Sequence, residues 1–166
     1  MPFDFDLENI KDSLDSIKLE NLLPDLHNFE SSVLSLARLA LILGPLVLLG
    51  LGIYYFSAAP KEANHTAGYR CWFGMGSVQA WRFTQRLAGS VWTVLGLILT
   101  IVAAVQADSL AELELMDALF AAGKHIFRQA VAVLLSAIAI NVAVFARYDR
   151  KGARRASWQE LLGRDR

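Results

Sequence analysis

This 166-residue chain has one cysteine, Cys71, and three scattered histidines, His27, His65 and His125. A single thiol excludes a disulfide or a cysteine-based metal site within one copy. The histidines show no metal-ligand spacing, so no metal and no cofactor is expected. His65 and Cys71 stand six positions apart with no carboxylate between them. No glycine-rich phosphate loop follows a strand. Catalytic residues are therefore expected to be none, and the chain is not expected to be an enzyme. Charge is scarce as well: 19% of residues are charged against 55% hydrophobic, a balance that points to a membrane class. Nucleic acid is not an expected partner. Residues 1–30 are acidic and interrupted rather than basic and then apolar. No cleaved signal is expected, and the first membrane helix must target the chain.

Three long runs contain no charge at all. They are Leu39 to Phe56, Leu87 to Ala107 and Gln129 to Ala146, flanked by Arg38 and Lys61, Arg86 and Asp108, and Arg128 and Arg147. A hydrocarbon core of about 30 Å needs about 20 helical residues, so each run can span it. The expected fold class is all-α, an integral membrane bundle of three transmembrane helices. Its parts are an acidic arm at 1–35, a membrane domain at 36–147 with spans near 38–57, 87–107 and 127–146, and a basic cytoplasmic tail at 148–166. Within the spans the one strongly polar residue away from the run ends, where Gln106 and Gln129 stand, is Asn141, too little for an ion or proton path.

Small residues recur at helical spacing in each span. Gly89, Thr93, Gly96 and Thr100 form one face, Ala132, Ser136, Ala139 and Ala143 a second, and Ala37, Ala40 and Gly44 begin a third. Lipid supplies no hydrophobic drive between helices, so close backbone approach at such faces is the usual packing device. The same faces suit homo-oligomerisation. Gly44-Pro45 predicts a kink, because proline removes a backbone donor and crowds the preceding turn.

Orientation follows from the flanks. Residues 1–35 hold eight acidic and two basic side chains, and residues 147–166 hold seven basic and three acidic. Between the first two spans four basic residues face one acidic, and from Asp108 to Lys124 four acidic face one basic. The positive-inside rule then places the N-terminus outside, and the first loop and the C-terminus inside. The expected location is the cell membrane.

Several segments read as short amphipathic or interfacial helices. Leu7, Ile10, Leu14 and Ile17 recur on one face, with an end expected near Pro24. Ser109 and Glu112 stand at capping-box positions before Leu113, Met116 and Phe120, and Gly123 can close that helix. Ser157 to Glu160 repeats the capping pattern beside Trp158, Leu161 and Leu162. Such helices lie along the membrane surface, dock on a partner, or rest on their own bundle.

The polar segment from Asn64 to Gln85 lies between the first two spans and is rich in Gly, Trp and Arg. Gly68-Tyr69-Arg70 suits a tight turn presenting both side chains. Arg70 can grip a carboxylate or a lipid phosphate through its planar fork. Ser77 reads as the N-cap of a helix from Val78 to Arg86 leading into the second span. On that helix Ala80, Trp81, Thr84 and Gln85 fall within one turn, and Arg82 and Arg86 can reach phosphates. Trp72 and Trp81 stand where indole rings anchor a membrane boundary. Simple anchoring to anionic lipid explains the same composition. The candidate partner- or lipid-binding residues are Asn64, Gly68, Tyr69, Arg70, Ser77, Trp81, Arg82 and Arg86.

The elements Asn64-x-x-x-Gly68-Tyr69-Arg70 and Met75-x-Ser77-x-x-Ala80-Trp81-x-Phe83, with Gly89 opening a span, resemble the SdpI family of small bacterial integral membrane proteins. The resemblance covers roughly residues 40 to 145 by topology and is specific over 64–89. It departs at Cys71, where the family usually has Thr, and at Trp72-Phe73-Gly74. It implies immunity to a secreted antimicrobial peptide together with signalling at the membrane. The partners so implied are membrane lipids and a peptide toxin or membrane protein. The alternative expectation is a non-catalytic structural subunit of a larger membrane complex.

Overall fold

A computed structural model describes residues 19–64 and 66–156. Three helices follow one another in alternating directions: α1 (Leu19–Ser57), α2 (Val78–Ser109) and α3 (Leu115–Arg147). A 3₁₀ turn, Leu110–Glu112, joins the last two. Among the described residues the extended pairing is limited to one bridge between Tyr148 and Arg154. Each helix contains a stretch long and apolar enough to cross a membrane: Asn28–Ser57, then Val78 into the 3₁₀ turn, then Leu115–Arg147. At 1.5 Å per residue the helices are about 58, 48 and 50 Å long, well beyond a hydrocarbon core of about 30 Å. They overrun the uncharged runs because Arg, Lys and Glu are good helix formers, and a charge does not end a helix.

Three sequence expectations are corrected here. The helix end expected near Pro24 is not there: α1 passes through Pro24 and is continuous across residue 35. A proline forfeits one backbone bond, and the rest of a 39-residue helix outlasts that local loss. The segment after Ser109 does not form a separate interfacial helix. Ser109 is the last residue of α2 and makes no side-chain cap; its hydroxyl donates to the Gln106 carbonyl at 2.8 Å. The chain breaks only at Leu113 and Glu114, both extended, and helix resumes at Leu115. Gly123 does not close that helix, which runs on to Arg147. A helical glycine costs only about 1 kcal/mol against alanine, and long flanking turns override it. The segments expected at 7–17 and 157–162 lie outside the described residues.

The small-residue face of α2 packs as its spacing predicts. A Cβ added at Gly89 would stand 2.5 Å from the Phe56 nitrogen, and one at Gly96 would stand 2.6 Å from that of Leu49. The two backbones therefore touch along α1 and α2. The expected face of α3 is different. Ala139 and Ala143 are exposed, and Ile140 and Val144 are buried instead.

Two cores sit at opposite ends of the bundle. One joins Leu41, Ala103, Ala107, Leu110, Ala118 and Ala122. The other joins Tyr69, Ala80, Ala88, Ile140, Val144 and Tyr148, with Tyr55, Phe73, Phe83 and Trp92 packed against it. Between them α1 stays helical through Gly44-Pro45. Pro45 has no N–H, so the carbonyl four residues earlier, that of Leu41, loses its helical donor. Gln129 of α3 replaces that donor, its Nε2 reaching the Leu41 oxygen at 3.2 Å.

Candidate functional site

The connection between α1 and α2 folds back against the bundle instead of looping away from it. It begins with an Asx turn: Asn64 Oδ1 accepts from the amides of Thr66 and Ala67 at 3.1 and 2.9 Å. Gly68 follows with φ +106°, a left-handed backbone that glycine adopts without strain. A Cβ there would also press on the Trp81 ring at 2.7 Å. The turn drives Tyr69 inward. Its amide donates to Gln85 Oε1 and its carbonyl accepts from Gln85 Nε2, each at 2.8 Å. One side-chain amide thus pairs with both polar groups of a buried peptide unit, as a neighbouring strand would.

The Tyr69 ring enters the bundle. Its hydroxyl donates to the Ala137 carbonyl at 3.2 Å, with Asn141 Oδ1 at 3.4 Å. Its ring meets Trp92 edge-on with centroids 5.2 Å apart, and Tyr55 lies 6.4 Å away. Burial pushes the Tyr69 phenol above its usual 10.0; Cys71 adds to the rise and the Asn141 hydrogen bond opposes it. At neutral pH it is therefore a neutral donor. Trp92 in turn donates to Ser136 Oγ at 3.1 Å, and Ser136 donates to the Val133 carbonyl at 2.7 Å.

Trp81 is fully buried, and its indole N–H donates to the Pro60 carbonyl at 2.7 Å. It clamps the start of the loop onto α2 and is no boundary anchor, in contrast to the sequence expectation. Trp72 is 77% exposed and remains free to take that part. Ser77 is the expected N-cap: its hydroxyl oxygen accepts from the Ala80 amide at 3.1 Å and donates to the Gly152 carbonyl at 2.8 Å. That second bond ties in the start of the basic tail. Residues 148–155 turn back on themselves, with Asp149 Oδ1 accepting from the amides of Lys151 and Ala153. Arg147 lies over the Phe83 ring at 4.6 Å and Arg155 over the Phe145 ring at 4.5 Å. Loop, helix ends and tail thus form one cap over the bundle.

The eight candidate residues therefore divide. Asn64, Gly68, Tyr69, Ser77 and Trp81 build the cap, and Tyr69 is turned in rather than presented. Arg70, Arg82 and Arg86 are exposed. Arg82 and Arg86 line a polar hollow of about 410 Å³ with Lys61 and Tyr55. Beyond Tyr69 a half-open cavity of about 570 Å³ runs up the bundle between Pro45, Leu48, Trp92, Gln129 and Val133. Its lining is almost wholly apolar. His65 lies outside the described residues, and among those described no group of histidine, cysteine or carboxylate side chains is placed to hold a metal.

Sequence reasoning missed Gln85 as the partner of Tyr69 and Gln129 as the partner of Leu41. A signal existed for the second, since a proline inside a span always leaves a carbonyl to be satisfied. No signal marked Pro60, Ala137 or Gly152, whose roles lie in backbone oxygens.

No curated protein and no solved structure matches the chain. The model of the SdpI/YfhL protein family matches residues 61–146, from the clamped start of the cap to the end of α3. More than half of the chain lies in that match, which takes in the loop part of the cap from Lys61 and two of the three apolar helices. The chain is a membrane protein and belongs to the SdpI/YfhL protein family.

Proposed function

We propose that this multi-pass protein recognises a peptide or protein partner at the cell membrane and acts in immunity or signalling, without catalysis. The observation that carries this reading is the half-open apolar cavity of about 570 Å³ ending on Tyr69. A concave apolar space with few polar groups suits an apolar ligand segment. Tyr69, which lines it, belongs to the stretch that the family match covers. The charge pattern of the flanks supports an N-terminus outside and a cap inside.

The test is survival. The full chain, expressed in strains sensitive to secreted antimicrobial peptides, should protect against at least one member of a peptide panel. Gly44→Leu should abolish that protection, because Gly44 lines the cavity and a Cβ there meets only the far end of Gln129, at 3.8 Å. Unchanged survival across the panel would count heavily against the reading.

A second reading, a structural subunit of a larger membrane complex, draws on the opposite end. Met116, Phe120 and Phe127 are 64%, 72% and 69% exposed on the part of α3 that precedes its uncharged run. Exposed apolar clusters of that kind mark interaction surfaces. Affinity purification from native membranes discriminates: recovery of the chain with only itself and lipid would sink this second reading.

A further inference from the structure

We infer that the hollow between the ends of α1 and α2 is a binding site for a phosphate group, whether carried on a lipid headgroup or free. Three cationic side chains, Lys61, Arg82 and Arg86, line it together with Gln85 and Tyr55, and no carboxylate does. Its lining is mostly polar, the reverse of the cavity beyond Tyr69. Among the described residues none of the three cations has an ion pair. The neighbouring Glu62 is exposed and does not line the hollow.

The fold holds these charges together deliberately close. Arg82 and Arg86 are four residues apart and therefore share a helix face, where like charges repel. Lys61 comes to the same place because its neighbour Pro60 is clamped by the Trp81 indole. Gln85 is fixed by its two bonds to Tyr69, yet its amide nitrogen carries a second hydrogen. An anion within the hollow relieves the repulsion and gains charge-assisted hydrogen bonds from guanidinium forks suited to phosphate oxygens. The height of the site fits a lipid phosphate. Arg86 immediately precedes the uncharged run of α2, and Gly89, one turn further in, lies against Phe56. The hollow therefore opens at the boundary of the hydrocarbon layer. The assignment is independent of any peptide partner.

The test uses the full chain in detergent, titrated with phosphatidylglycerol or phosphatidylcholine and read by native mass spectrometry. A diffuse basic surface predicts a loss of about fivefold per charge removed, wherever the charge lies. A built site predicts that Arg82→Gln and Arg86→Gln each weaken phosphatidylglycerol retention by about tenfold or more, the loss of a charge-assisted hydrogen bond. Lys124→Gln and Arg128→Gln, at the other end of the bundle, should leave retention unchanged. Thermal stability of all four variants, measured alongside, should match the parent because these side chains are exposed. Displacement of lipid by millimolar inorganic phosphate shows a site open to free phosphate, and resistance to it shows one that takes the lipid-borne group; both support the site. Equal losses at the two ends, or no loss for the Arg82→Gln/Arg86→Gln double variant, would overturn it.

Discussion

At one end of the bundle the helices meet through alanines, with Ala103, Ala107, Ala118 and Ala122 gathered around Leu41 and Leu110. At the other end they are joined by Trp81, Tyr69, Gln85, Ser77 and Trp92, which carry hydrogen bonds as well as bulk. The first arrangement works by closeness alone and asks only that side chains stay small. The second fixes a loop and the start of a tail to the helices, one donor and one acceptor at a time. Only the second can hold an irregular backbone at the membrane boundary, because each buried peptide group there must find a partner. The family match begins in this second region and includes all of the cap except the tail turn.

The comparison breaks most visibly at Trp81. Trp81→Ala removes the largest buried ring and leaves the Pro60 carbonyl without its donor. We expect a loss of about 3–5 kcal/mol, read from reversible unfolding in mixed micelles. Trp81→Phe should restore much of the packing and still leave the carbonyl unpaired. A tryptophan merely resting at the lipid boundary would show neither effect.

The alanine end should respond in the opposite sense, to enlargement. Ala118 is fully buried, and Ala118→Leu should cost about 1–3 kcal/mol by overpacking. Amide protection in the cap should stay as it was, since the two cores are separate. Loss of protection at both ends together would show that they form a single cooperative unit.

A smaller effect is expected midway between the ends. Gln129→Ala leaves the Leu41 carbonyl beside Pro45 unsatisfied, and interhelical hydrogen bonds in membranes are worth about 0.6–1.7 kcal/mol. The infrared band of a ¹³C-labelled Leu41 carbonyl should shift to that of an unpaired carbonyl. An unchanged band would mean that water or another group already serves it.

Much of the fold was legible because the bilayer dictates it. Uncharged runs of membrane length and glycines at helical spacing in the second span have few other solutions. Ser77 was legible too, since a serine before a helical run is a local signal. The cap was not, for a physical reason. Tyr69 is held by Gln85, sixteen residues away, and Trp81 reaches the oxygen of Pro60, so the partners are backbone atoms that no residue type advertises. Trp81 was expected outward because indole rings beside a span usually favour the interface, and Tyr69 because a tight turn at Gly68 was expected to present it. Burial won here because each found a hydrogen-bond partner inside. The third span misled through composition: alanines at 139 and 143 have the spacing of a packing face, yet the ridge that enters the core carries Ile140 and Val144.

The central claim is that the first loop is a fixed cap whose buried peptide is held by one glutamine. Hydrogen–deuterium exchange at the Tyr69 amide, in the full chain in lipid nanodiscs, tests it most directly. The account predicts strong protection at Tyr69 in the parent and its collapse in Gln85→Leu, which keeps the bulk and removes both hydrogen bonds. Protection at Ala118 should be unaffected. A Tyr69 amide exchanging in the parent as fast as an unstructured peptide would contradict the account.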